Sequence, residues 1–163
     1  DIKSKIILFK QNFFYYKFDL KLSNFSWYGS KACRKKYLIT PQWLRNVKSK
    51  VYPLWRIDIM FSNKKYQNIK IINKGGWHFS NIKTPANIEK KMKTYLHHRE
   101  YELNPVGIEK ISEIIKQKKP IYNLKTDMRS NKFDLSEKLM VSNISELPYY
   151  IQKNIDKYKD WLN

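Results

Sequence analysis

Two short segments hold the chain's three histidines: Gly75-Gly76-Trp77-His78-Phe79-Ser80, and His97-His98-Arg99-Glu100 further on. Imidazole changes charge near neutral pH, so it can serve as a base, a metal ligand or a contact to phosphate. A glycine pair, a tryptophan and a carboxylate in the same stretch suggest a site rather than packing. In an extended segment His78 points opposite to Trp77 and Phe79. If those aromatics pack inward, the imidazole faces a cleft, where it can bind a metal, hold a phosphate or donate to a sugar hydroxyl. Taken alone, His78 is better explained as a hydrogen-bonded structural histidine beside an aromatic cluster. His98 and Glu100 fall near the end of an expected helix, and residues two apart on a helix do not face each other. They converge only if the helix frays, which Asn104-Pro105 favours. Otherwise His98 simply complements the dipole at a helix C-terminus, and Glu100 is solvated.

Other catalytic patterns are absent. The chain has no phosphate-binding loop, dinucleotide fingerprint, H-E-x-x-H or G-x-S-x-G. Cys33 is the single cysteine, so neither an intrachain disulfide nor a cysteine-based zinc site is possible. Its setting, Ser30-Lys31-Ala32-Cys33-Arg34-Lys35-Lys36, could lower a thiol pKa, but a small, partly buried spacer is the better reading. Nothing argues for an oxidising compartment, and the expected location is cytoplasmic or membrane-peripheral.

The elements that must hold these residues are mixed α and β. Lys5–Phe9, Phe13–Phe18 and Asn68–Asn73 read as strands by their β-branched and aromatic content. Trp77–Phe79 resumes extended structure after the glycines, and Asn24–Ser30 reads as a loop. Thr40-Pro41, Thr84-Pro85 and Asn104-Pro105 each read as a helix start, a polar N-cap followed by proline. Ile88, Met92, Tyr95 and Leu96 give the second helix a stripe that runs to Arg99, and Glu89 with Lys93 forms a favourable pair four apart. Ile108, Ile111, Ile114 and Ile115 stripe the third, which Pro120 stops. Residues 123 to 146 read as a polar surface loop with one short strand near Lys138–Val141. Pro148 starts a last helix whose face carries Ile151, Ile155, Tyr158 and Leu162.

The chain carries 33 Lys and Arg against 14 Asp and Glu, a formal charge of +19. That charge fits nucleic acid, or a phosphate-bearing ligand such as a sugar nucleotide. The lysines are spread along the chain rather than gathered, Lys, Asn and Ile are abundant as in AT-rich coding, and no RNA-binding motif appears. These features argue against nucleic acid. No window approaches the length and apolarity of a membrane span. A basic nucleic-acid-binding module and a non-catalytic carbohydrate-binding domain remain as rival readings. Trp27, Tyr28, Trp43, Trp55 and Trp77 could stack on sugar rings or bases, though most are expected in the core.

The order of these motifs resembles glycosyltransferase family 17, the β-1,4-mannosyl-glycoprotein N-acetylglucosaminyltransferase family. Gly76-Trp77-His78-Phe79-Ser80 carries the strongest likeness. Phe13-Phe14-Tyr15-Tyr16 is similar to the family's aromatic strand, Trp27-Tyr28-Gly29 with Lys31 to its W-x-G-x-K-like stretch, and Leu44-Arg45 to its L-R element. Lys91 or Lys93 followed by His98-x-Glu100 resembles K-x-x-S-F-x-H-x-E, with Thr94-Tyr95-Leu96-His97 replacing part of it. Leu147-Pro148-Tyr149-Tyr150-Ile151 with Asn154 resembles the family's L-P-x-Y ending. The likeness runs in order from about residue 5 to about 160.

The resemblance implies a GT-A-like fold and transfer of N-acetylglucosamine, or a related sugar, from a UDP-sugar to a glycan acceptor with a divalent cation, Mn2+ or Mg2+. It implies His78 as a metal or diphosphate contact, Glu100 and His98 as catalytic groups orienting or deprotonating the acceptor, and Arg45, Trp77 and Ser80 as donor-binding residues. The family's nucleotide half carries D-x-D-E-I-P, and no Asp-x-Asp occurs here. With Asp1-Ile2-Lys3 in place of an initiator Met, the expectation is a single or partial domain, residues 1–163. It would be the acceptor-side, C-terminal portion of an enzyme whose nucleotide-binding segment is missing.

Overall fold

The computed structural model describes residues 4–50, 52–53, 55–66, 68–94, 98–121 and 137–163, with only the backbone of 98–100. It is a mixed α/β protein with two sheets and several short helices. The chain divides into two compact units. The first is built from the described residues up to Asn12 and from Ser26–Gly76; the second is Phe13–Phe25 and Trp77–Asn163.

The first unit holds a three-stranded sheet in the order β4 (Lys31–Cys33), β1 (Ile6–Phe9), β5 (Ile69–Ile72). β1 runs antiparallel to β4, with Ile6 opposite Cys33, and parallel to β5, with Ile6 opposite Ile69. Alternation sends Ile6 and Leu8 to one face, where they meet Trp43 and Val47 from the helix α1 (Pro41–Asn46) and its C-cap. Tyr28, Cys33, Leu44, Tyr66, Ile69 and Ile71 close around them, so Cys33 is the partly buried spacer expected. The Thr40-Pro41 start is confirmed: Thr40 Oγ1 accepts from the Trp43 amide at 3.0 Å. Lys31 Nζ donates to the carbonyls of Arg45 at 2.7 Å and Val47 at 2.5 Å, satisfying acceptors that the short helix leaves open. Burial first, then Lys48, lowers the pKa of that ammonium.

Gly75 explains half of the glycine pair. The Gly75 amide donates to Lys10 O at 2.8 Å, and the Lys10 amide donates to Ile72 O at 3.0 Å. This holds the chain so close that a Cβ on Gly75 would stand 2.8 Å from Phe9 Cβ and 2.9 Å from Phe9 Cα. The close approach that Gly75 permits is therefore to neighbouring backbone. Gly76 is needed for conformation instead, with φ at +115°.

The second unit holds most of a four-stranded sheet in the order β6 (Trp77–Ser80), β2 (Gln11–Tyr15), β3 (Leu20–Trp27), β7 (Met140–Val141). The Asn12 amide bonds Gly76 O and the Tyr16 amide bonds Ser80 O, each at 3.1 Å; the partners advance in the same sense, so β2 and β6 run parallel. β3 takes in much of the segment expected as a loop, because Leu20 and Leu22 alternate into the core. One face of the sheet carries Phe14 and Phe79, 5.3 Å apart, with Phe18 edge-on to Phe79 at 5.3 Å. Leu147 and Ile151 complete that core, with Tyr158 and Leu162 packed against it. Buried Asp19 accepts from the Asn163 amide at 3.0 Å and from Asn163 Nδ2 at 2.9 Å, tying the β2–β3 turn to the last residue.

The helices depart from expectation at their ends. The helix α2 is Pro85–Thr94, and α3 is His98–Leu103. His98 and Glu100 lie in α3, and the stretch through which the expected helix would reach Arg99 falls outside the described residues. The Glu89–Lys93 pair is present at 3.2 Å. α4 (Ile108–Lys116) starts three residues after Pro105, from Gly107 at φ +81°, and packs Ile111 and Ile114 inward. It ends before Pro120. Lys118 is left-handed (φ +53°), and the Lys119 and Lys118 amides return to Ile114 O and Ile115 O, the pattern of a Schellman cap. The last expected helix is two, α5 (Tyr149–Lys153) and α6 (Ile155–Tyr158), broken at Asn154. Tyr95, Leu96, His97 and the stretch 122–136, most of the expected loop, lie outside the described residues. Among the described residues no helix is long and apolar enough to cross a membrane.

Candidate functional site

His78 sits on β6, on the face opposite Phe79, as the alternation argument requires. Phe79 packs into the core, while Trp77 is 41% exposed and donates through Nε1 to Glu146 O at 2.5 Å. The imidazole stacks on Phe13 of the adjacent β2, with centroids 4.9 Å apart and planes at 29°. Phe13 in turn stacks on Tyr15 at 5.8 Å and meets the edge of Phe25 at 5.3 Å. Parallel pairing of β2 with β6 therefore builds an aromatic wall of Phe13, Tyr15 and Phe25 around one half-buried histidine.

Polar groups close the site at its β6 end. Asn81 follows the strand in the left-handed region, φ +52°, a conformation that asparagine tolerates better than most residues. Its side chain is buried and bridges two elements: Nδ2 donates to the Tyr15 hydroxyl at 2.8 Å, and Oδ1 accepts from Lys91 Nζ at 2.6 Å. Lys91 comes from α2, on the same stripe as buried Ile88 and Met92. Burial, then repulsion from Lys83, lowers the Lys91 pKa. Burial, then the Lys91 cation, lowers that of His78. The site thus pairs a ring that prefers to stay neutral with an ammonium fixed by an amide. Such a pair can accept a proton at the ring nitrogen and offer positive charge to an anion.

The pKa direction has a consequence for stability. The folded state holds His78 below the ordinary imidazole value of 6.5, so between the two values the unfolded chain binds more protons. The contribution is whole above 6.5 and is lost as pH falls through the folded value. Unfolding midpoints measured from pH 7.5 downward should fall over that window, and the fall should shrink in His78→Gln. Equal slopes for the two proteins would contradict the assignment.

The other expected residues are placed unevenly. Ser80 shares the His78 face by alternation, half-buried, with its carbonyl taken by Tyr16. Trp77 lies on the opposite face, so the strand does not present it beside His78. Arg45 is exposed on α1 in the first unit. His98 and Glu100 are placed only by backbone, in α3. Nothing in the sequence marks Asn81, and the family pattern marks Lys91. A readable signal existed, since Lys91 stands three residues from Ile88 inside an apolar stripe. Among the described residues no group of three His, Cys, Asp or Glu could hold a metal ion. A single imidazole beside an ammonium does not by itself fit a divalent cation. Of the five aromatics considered for ring stacking, Trp43 is core, Tyr28 packs against it, and Trp55 is 77% exposed.

No protein family, curated protein or solved structure matches this chain.

Proposed function

We propose that this chain is part of a glycosyltransferase. It would carry N-acetylglucosamine, or a related sugar, from a UDP-sugar to a glycan acceptor, within a GT-A-like architecture. One observation supports the reading above the others: the histidine of Gly-Gly-Trp-His-Phe-Ser is held on a sheet face next to a lysine anchored by the buried Asn81 amide. In such a transfer the acceptor hydroxyl attacks the anomeric carbon, and the bond from that carbon to the UDP oxygen breaks. UDP leaves with the bonding electrons, and the hydroxyl proton passes to a base. Lys91 and His78 suit the diphosphate, the first by charge and the second by its ring N–H. Glu100 and His98 on α3 are the candidate bases. A divalent cation, if the reaction uses one, must draw its carboxylates from beyond the described residues, as from the nucleotide-binding segment that the resemblance implies.

The net charge of +19 favours one rival, a nucleic-acid-binding module. Binding of UDP-N-acetylglucosamine and of a single-stranded RNA by the full-length protein that includes the nucleotide-binding segment, each measured at about 50 and about 200 mM salt, separates the two. The transferase reading expects saturable sugar-nucleotide binding that free UDP displaces and RNA does not. Tight RNA binding without any sugar-nucleotide binding would replace this reading with the rival.

A further inference from the structure

The second unit contains a cavity of about 480 Å³ on the side of Tyr16 and Lys17, between the start of α2, the middle of α4 and the segment around Trp161. We propose that this cavity, lined by Lys17, Lys83, Pro85, Ile115, Lys116 and Trp161, binds a small anion carrying a ring, such as an aryl phosphate or a sugar phosphate. The proposal stands apart from the sugar-transfer reading and uses none of its residues.

Three observations carry it. The volume falls within the range of small-molecule sites, and Pro85, Ile115 and the half-buried Trp161 line it with apolar surface. A ring fits such walls, because an indole offers a flat apolar face. The lining is positive on balance, with three lysines and one carboxylate, Asp160. Neither the Lys83 nor the Lys116 ammonium has an ion pair or side-chain hydrogen bond among the described residues. Like charges held together without partners gain from an incoming anion. Lys17 is also pre-set. Its Nζ donates to Asp160 O at 2.8 Å and to Leu162 O at 3.0 Å, leaving one of its three protons for a ligand. The positive end of α2 adds to the same field.

The test uses three probes on the whole chain by calorimetry: phenyl phosphate, inorganic phosphate and phenol. Phenyl phosphate should bind saturably and at least tenfold more tightly than either half alone. The double variant Lys83→Glu with Lys116→Glu, both exposed positions, should weaken it at least tenfold. Ile115→Trp, which fills the cavity, should abolish it. Should Ile115→Trp fail to fold, the two exposed substitutions still decide. Inorganic phosphate binding as tightly as phenyl phosphate would reduce the site to surface lysines and overturn the proposal. So would unchanged affinity in the charge-reversed variant, or no binding of phenyl phosphate.

Discussion

Asn81→Leu should be among the most destabilising single substitutions in the second unit, at about 3–5 kcal/mol. Three costs meet there. Leucine is forced to φ +52°, which carries about 1–3 kcal/mol of strain. Lys91 Nζ loses the carbonyl that holds it at 2.6 Å, which for an exposed, solvent-screened ammonium adds about 0.5–1 kcal/mol. The Tyr15 hydroxyl loses a donor at 2.8 Å. Asn81→Gly separates these costs: it relieves the backbone but keeps both polar losses, so it should fall between leucine and wild type. Asn81→Asp should be mildest, because a carboxylate tolerates the same backbone and accepts from both the ammonium and the phenol. Urea unfolding at constant m-value reads all three. An Asn81→Leu midpoint close to wild type would show that the Tyr15–Asn81–Lys91 bridge contributes little.

Gly75→Val should cost about 2–3 kcal/mol or more by overpacking, and by a mechanism different from that at Gly76. At Gly75 the obstacle is the Phe9 backbone 2.9 Å away, which cannot rotate aside. The cost should therefore grow from alanine to valine. At Gly76 the nearest atom to a new Cβ is Gln11 Nε2 at 3.5 Å, the far end of a flexible side chain, and the penalty is the positive φ. Alanine should already incur most of it. Parallel unfolding curves for alanine and valine at both positions check the contrast; equal alanine and valine costs at Gly75 would contradict the steric account.

Local chemistry was readable where it acts locally. Thr40-Pro41 caps its helix as expected because hydroxyl, proline and the Trp43 amide lie within one turn. The alternation that turns His78 away from Phe79 follows from strand geometry alone. Long-range pairing was not readable. β1 with β5 and β2 with β6 are parallel pairs joined across distant sequence, and nothing in either segment names its partner. That pairing brings Phe13 to His78, so the aromatic wall was hidden with it. Periodicity at α2 was readable as far as the described residues go: Ile88 and Met92, four apart on its stripe, are both buried. Asn104-Pro105 imitates the start of a helix, but the cap falls at Gly107, whose amide donates to the Tyr101 hydroxyl at 3.2 Å.

The role of His78 and Lys91 rests on their acting together toward the diphosphate of a nucleotide sugar. Calorimetric titration of UDP-N-acetylglucosamine into the full-length enzyme that includes the nucleotide-binding segment, as wild type, His78→Ala and Lys91→Met, tests this most directly. The account predicts saturable binding by wild type and at least a tenfold loss, about 1.4 kcal/mol, in each variant while the folded state is retained. Wild type that takes up no ligand, or variants that bind as tightly as wild type, would contradict it.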